Sequence, residues 1–285
     1  MGPADSEVLD PFEQVTSGLV EDREVSHDPV LVERVAGIDI GKAEVVVCVR
    51  VPRGPGRRRQ LVRTFATMTR DLLVMADWLA GLGVTQATME ATGDYWRSPY
   101  YVLESRGLGP RLVRASDVKH LPGRSKTDVL DAVWLCKLAE RGMLQSSFVP
   151  PPPIRELRQL TRYRASCVQA RTAEKQRVEK LLEDAQIKLS VLASDMFGVS
   201  GRAMMQALIG GERDERVLAE LARGRMRPKV ARLREAFIGR FNDNHAFLLA
   251  TMLANIDRYE QSIAELEARI EVMVRPFRGS DHLPV

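Results

Sequence analysis

The spacing of apolar residues changes period along this chain, and each change marks an element. In RVAGIDIGKAEVVVCVRV (34–51), Val35, Ile38 and Ile40 lead to a Gly-Lys turn. The run Val45 to Val49 that follows is β-branched enough for a buried strand. RGPGRRR (53–59) reads as a turn, and QLVRTFAT (60–67) returns as a third strand, completing a meander. Leu72, Leu73, Met75, Ala76, Leu79 and Leu82 then fall at helical spacing, predicting a helix from near Thr69 to Gly81 or Gly83. TQATMEAT (85–92) predicts a strand, GDYWRSPYYVLESRG (93–107) a helix and PRLVRA (110–115) a last strand. A helix over GRSKTDVLDAVWLCKLAERG (123–142) follows, with Val129, Leu130, Val133, Trp134 and Leu138 on its apolar face. Antiparallel strands followed by β-α alternation predict an α/β domain on a mixed sheet, over residues 31–148.

VPPPPI (149–154) ends that domain, because its prolines cannot continue a helix or a central strand, and 149–153 reads as a linker. Everything beyond it has helical spacing. Residues 154–192 predict one long basic helix, and 201–240 predict shorter helices broken at Gly210-Gly211 and Pro228, together a basic helical region over 154–243. From Leu249 through Met252, Ile256, Tyr259, Ile263, Leu266 and Ile270 to Met273 the steps alternate between three and four. That a/d seam predicts a coiled-coil helix over 244–275, within one chain or between chains. Pro276 stops it, and 276–285 reads as a tail.

Charge adds a partner class. Of 42 basic and 38 acidic residues, residues 1–28 hold eight acids against Arg23 alone. Residues 1–30 therefore read as an acidic, disordered tail. Residues 29–285 are left at +11, mostly as arginine, which suits a phosphate-bearing partner. Cys48, Cys136 and Cys167 are far apart and outside any CxxC, so they read as reduced core residues. No apolar run reaches a membrane span and no signal peptide opens the chain, so the expected address is the cytoplasm, with no membrane partner.

The candidate chemistry lies in carboxylates. Asp39, between isoleucines at a strand end, is costly to bury without a cation or a donor. Glu90 ends a later strand, and open α/β sheets hold their sites at the carboxyl ends of strands. Asp128 and Asp131 stand three apart on the next helix, hence side by side. Acids in a first helical turn also suit the helix dipole, so these two can be read as a solvated helix start. Four carboxylates without nearby His or Cys suit Mg²⁺ or Mn²⁺, and two such ions can activate an attacking oxygen and stabilise a leaving one on a phosphodiester.

GIDIGK, MEATGDYW and KTDVLDA, in that order, resemble the signature of the DEDD transposases of insertion sequences, relatives of the Piv-type DNA invertases. The resemblance implies an α/β RNase H-like (RuvC-like) domain with a mixed sheet, followed by an all-α region with a coiled coil. It implies catalysis and metal binding by Asp39, Glu90, Asp128 and Asp131, with Arg124 and Lys126 near the nucleic-acid backbone. It further implies DNA as substrate, a structured guide (bridge) RNA as partner, and a prokaryotic protein associated with the nucleoid when bound to DNA. Such transposases continue into a C-terminal domain bearing a serine thought to attack DNA. This sequence stops where that domain would begin, and Ser280 is in no recognisable context for the role. The expectation is therefore a transposase or site-specific recombinase whose complete activity in this chain is in question. The alternative is a nucleic-acid-binding, dimerising fragment or regulator. Sugar kinases and actin-like ATPases share the GIDIG opening, but no DxGGGT-like phosphate loop follows here.

The basic helix supplies the remaining candidates. Arg155, Arg158 and Arg162 share one face, and Arg164, Arg171 and Lys175 another, as expected of phosphate contacts. Tyr95, Trp96, Tyr100 and Tyr101 can stack on bases or pack in the core. The seam predicts a homo-oligomer, a dimer or higher, with a hairpin inside one chain as its rival.

Overall fold

The computed structural model describes residues 30–54, 57–91, 93–114 and 127–278. It divides into two units, residues 1–149 and 150–285. Of the expectations above, the acidic segment before residue 30, Arg124, Lys126 and Ser280 lie outside the described residues.

The first unit holds a six-stranded sheet in the order β3-β2-β1-β4-β5-β6. β1 (Val35–Ile40), β2 (Glu44–Gly54) and β3 (Arg57–Ala66) form the antiparallel meander. β4 (Gln86–Glu90) pairs parallel to β1, and β5 (Pro110–Val113) parallel to β4. A short β6 (Ser146–Ser147), which carries no apolar signal, closes the edge antiparallel to β5. Helices α1 (Thr69–Gly81), α2 (Arg97–Ser105) and α3 (Asp128–Glu140) connect the strands. This is a mixed sheet with helices followed by a helical region, as expected.

Two clusters sandwich the sheet because its side chains alternate between faces. Ala36, Ile38 and Ile40 of β1 join Leu72, Met75 and Leu79 of α1 on one face. Val35 shares the other with Val46 and Cys48 of β2 and with Ala132, Cys136 and Ala139 of α3.

The second unit is helical. α4 (Pro152–Asp184) is followed by α5 (Leu189–Leu192), α6 (Val199–Ile209), α7 (Glu215–Glu220), α8 (Val230–Ala236) and α9 (Asp243–Val274). Breaks fall at Gly210-Gly211 and around Pro228, as read from the sequence. Two expectations need correction. Pro152 and Pro153 belong to the first turn of α4 rather than to a linker, because a first turn needs no amide donors there. The long helix ends at Asp184, not at 192. Gln186 takes φ 61°, and the backbone beside it is bound from afar, by Arg240 N–H to Ala185 O and Lys188 N–H to Ala236 O. α9 begins with a capping box between Asn242 and His245 and packs along α4 within the chain.

Candidate metal-binding carboxylate site

Strand parity fixes where Asp39 points. It shares the face of Val35 and Gly37, which α3 covers, while Ile38 and Ile40 turn to the α1 side. Val46 faces it across the β1–β2 pair. In the parallel β1–β4 ladder Ile38 is level with Met89, so the next residues, Asp39 and Glu90, leave the sheet side by side. Neighbouring strands run roughly 4.8 Å apart, and both acids are half-buried at the carboxyl ends of the two central strands.

Gly37 brings α3 to the same place. A Cβ there would lie 2.4 Å from the Cys136 amide nitrogen and 2.6 Å from the Ala132 oxygen, so helix and strand touch backbone to backbone. The Cys136 thiol donates to Val35 O at 3.5 Å, and the amides of Leu31 and Val32 donate to Glu140 O. The helix thus runs back along β1, its C-terminus near the start of the strand. Asp128 stands one turn before Ala132, a rise of about 6 Å. Asp39 stands two residues beyond Gly37, an advance of about 6.6 Å. The first turn of α3 therefore lies level with the carboxyl ends of β1 and β4.

Thr127 caps that turn: its Oγ1 accepts from Leu130 N–H at 3.2 Å, and its carbonyl accepts from Asp131 N–H at 2.8 Å. Asp128 is exposed and Asp131 half-buried. Sheet and helix thus bring four acids to one end of the domain. Their oxygen chemistry fits a hard divalent cation. Among the described residues, however, no group of three or more Asp, Glu, His or Cys stands close enough to hold one ion.

Sequence reading missed the residues at the other end of α3. Glu140, 4% exposed, meets Arg50, 5% exposed, with Nε to Oε2 at 3.0 Å. Arg58 Nη2 lies 2.5 Å from Oε1 as an ion pair, without an aligned hydrogen bond, and Arg50 Nη1 donates to Gln60 Oε1 at 3.0 Å. The only sequence signal was Arg50 at an inward position of an apolar strand. Nearby, a hydrogen bond with Cys136, reinforced by burial, pushes the Cys48 thiol well above its ordinary range.

The basic candidates of the second unit divide in two. Arg158 and Arg162 are exposed, and Arg155 donates to Pro150 O. Arg164 instead pairs with Glu267 of α9 at 2.5 Å, and Arg171 and Lys175 approach Glu260 at 3.9 and 3.5 Å. These three lie against α9 rather than on an open stripe. In the first unit, Trp96, Tyr100 and Tyr101 pack edge to face with centroids 5.5 to 6.2 Å apart and lie against the core, whereas Tyr95 is exposed. No helix among the described residues is long and apolar enough to cross a membrane.

A transposase family model, of the IS110 DEDD type, matches residues 36–187. No curated protein matches the sequence. Solved structures similar to the chain include Thermus thermophilus RuvC, alone and in complex with a Holliday junction substrate. Each shares 13% identity, covers 40% of this chain and 99% of the RuvC chain, and superposes with a TM-score of 0.32.

Proposed function

The chain belongs to the DEDD transposase family, and from that premise we propose that it cleaves and transfers DNA strands using Asp39, Glu90, Asp128 and Asp131 as one acidic site. The observation that carries this reading is the level of Asp128, one turn before Ala132, with Asp39, two residues past Gly37. A divalent cation of the Mg²⁺ or Mn²⁺ class, held by these carboxylates, would supply Lewis-acid activation of an attacking oxygen.

The chain's own residues do the rest. Asp39 and Glu90, fixed by the β1–β4 ladder, form the rigid half of the site. Asp128 and Asp131, on a capped first turn of α3, form the other half. Anions at one end of the domain repel, and a divalent cation held by Asp39, Glu90, Asp128 and Asp131 would offset that repulsion. Exposed Arg158 and Arg162 take phosphate groups of DNA, with an element-encoded guide RNA, as the family resemblance implies, as a second nucleic-acid partner. Chains associate through the outer part of α9, where Leu266, Ile270 and Met273 are half-buried.

Incubation of the chain with supercoiled plasmid and Mg²⁺ or Mn²⁺ tests this reading. Nicking that disappears in Asp39→Asn supports it, and nicking that survives the substitution removes the site. Exposed Arg158 and Arg162 on α4 also suit a second reading, a nucleic-acid-binding regulator. That reading predicts plasmid retention on a gel without nicking at any metal concentration.

A further inference from the structure

The same helix that carries Asp128 and Asp131 ends in Glu140, and its two ends are held very differently. At the start, Thr127 caps a turn whose Asp128, Val129 and Leu130 are exposed. At the end, Glu140 is buried between two arginines of the meander: Arg50 of β2 at 3.0 Å and Arg58 of β3 at 2.5 Å. Gln60 fixes Arg50 from the neighbouring strand, and Arg58 also donates to Glu33 O at 2.5 Å and Arg50 O at 3.2 Å. The Glu140 carbonyl meanwhile accepts from Leu31 N–H at 3.0 Å and Val32 N–H at 3.1 Å.

Buried charges cost several kcal/mol each to desolvate, and apolar residues of similar volume serve stability as well or better. Arg50 lies in a strand whose inward neighbours are Val46 and Cys48, where an apolar residue would pack without that cost. What an ion pair adds over an apolar contact is direction. Arg50 divides its planar set of donors between Glu140 and Gln60, which holds the carboxylate at one height, whereas apolar surfaces slide. Gly37 allows no slack sideways, because its backbone already touches Ala132 and Cys136. The remaining freedom is travel along the helix axis, and Glu140 blocks it.

We infer that Arg50 and Glu140, with Arg58, form a positioning clamp that sets the height of α3 along β1, and through it the height of Asp128 and Asp131 beside Asp39 and Glu90. The clamp touches no substrate and acts through a rigid helix of 13 residues. It rests on the carboxylate reading given above and deepens it. A helix free to slip by one residue would move both aspartates about 1.5 Å. A metal ligand tolerates far less.

The test is calorimetry of the full chain titrated with MnCl₂, reading both the metal-free melting temperature and the metal concentration that gives half the thermal shift. Leu79→Ala in α1 serves as a destabilising control on the opposite face. The clamp predicts that Glu140→Gln raises the half-saturating concentration about tenfold, as supporting residues around metal ligands do, while Leu79→Ala leaves it unchanged. Arg50→Lys, which keeps the charge and loses the fork, is expected to fall between wild type and Glu140→Gln, and it decides the matter should Glu140→Gln not fold. Equal half-saturation in the clamp variants and in Leu79→Ala overturns the proposal and leaves Glu140 a structural residue only. A wild-type chain that ignores the metal, or an Asp39→Asn chain that responds in full, overturns the carboxylate reading instead.

Discussion

Gly37 and Cys136 meet backbone to backbone, so closely that a Cβ on the glycine would lie 2.4 Å from the cysteine's amide nitrogen. This contact, 99 residues apart in the chain, seats α3 on β1 and determines which residues share the sheet edge. Gly37→Ala is expected to push the helix away and cost about 1–3 kcal/mol, the usual range for an overpacked core. Urea denaturation measures the loss. The same substitution should abolish any metal-induced rise in melting temperature, because the first turn of α3 lifts with the helix. A stable Gly37→Ala chain with a full metal response would separate this contact from the site.

Cys48 and Cys136 lie under that contact, both fully buried. The raised Cys48 pKa keeps its thiol neutral, and thiols react as thiolates. Iodoacetamide at pH 8 should therefore leave both unmodified in the native chain and alkylate them once urea opens the first unit. Mass spectrometry of the digests reads this directly, and rapid native labelling of Cys48 would refute it.

Much of this arrangement was legible from sequence, and the boundary is physical. The period of two in β1 and of about 3.6 in α1 and α3 reports local burial, so those elements and the parity of Asp39 could be read. The acids emerged from three short motifs in order. Glu140 could not, because its partner Arg50 lies 90 residues away and the pair has no local pattern. The break after Asp184 was hidden for another reason: a non-glycine, Gln186, takes φ 61° there, with its N–H donating to Glu183 O and that of Ile187 to Leu182 O, so the glycine that usually marks such a helix end is missing. Arg164, Arg171 and Lys175 looked like a phosphate stripe because their acidic partners, Glu260 and Glu267, sit on another helix.

That division predicts how nucleic-acid binding responds to substitution. Replacing exposed Arg158 and Arg162 with Ala should weaken binding and reduce the salt slope by about two phosphate contacts. Replacing Arg171 and Lys175 should instead lower the melting temperature slightly, by the usual ~0.2–1 kcal/mol of an exposed pair each, with the slope unchanged. Fluorescence titrations with a DNA duplex at several salt concentrations distinguish the two. An unchanged slope in the Arg158/Arg162 variant removes α4 from the interface.

Glu174 gives the α4–α9 pair a pH dependence. It is buried in α4 and accepts from Asn255 of α9 at 3.0 Å, and this bond, followed by that from Arg177, holds its carboxyl below the ordinary 4.5. A carboxylate depressed in the folded state adds stability that is complete above the unfolded value and fades as pH falls through the folded one. The melting temperature should therefore drop on acidification below pH 4.5, and Glu174→Gln should remove that part of the drop. Parallel melting curves for the two chains from pH 7 to 3 would show the difference; identical profiles would exclude the linkage.

The far half of the same helix pair is less completely covered. Along α9 the seam residues Leu249, Ile256 and Ile263 are buried, but Leu266, Ile270 and Met273 are only half-buried. The pairing of Arg171 with Glu260 and Arg164 with Glu267 fixes an antiparallel register that brings Leu160 and Leu157 of α4 opposite Ile270 and Met273. Those leucines are half-buried too, so four apolar residues from two helices remain partly open to water at the end of the hairpin. Two helices bury one stripe each; a stripe left over is covered by a further helix, and a second copy offers the same apolar surface. Leu266→Asp with Ile270→Asp should therefore yield monomers by light scattering at tens of micromolar while leaving the melting temperature of the helical unit nearly unchanged. Ile263→Asp, at a buried position against α4, should lower that temperature strongly, because it puts an unpaired charge inside the hairpin. A wild-type chain that is already monomeric at those concentrations would confine the seam to packing within one chain.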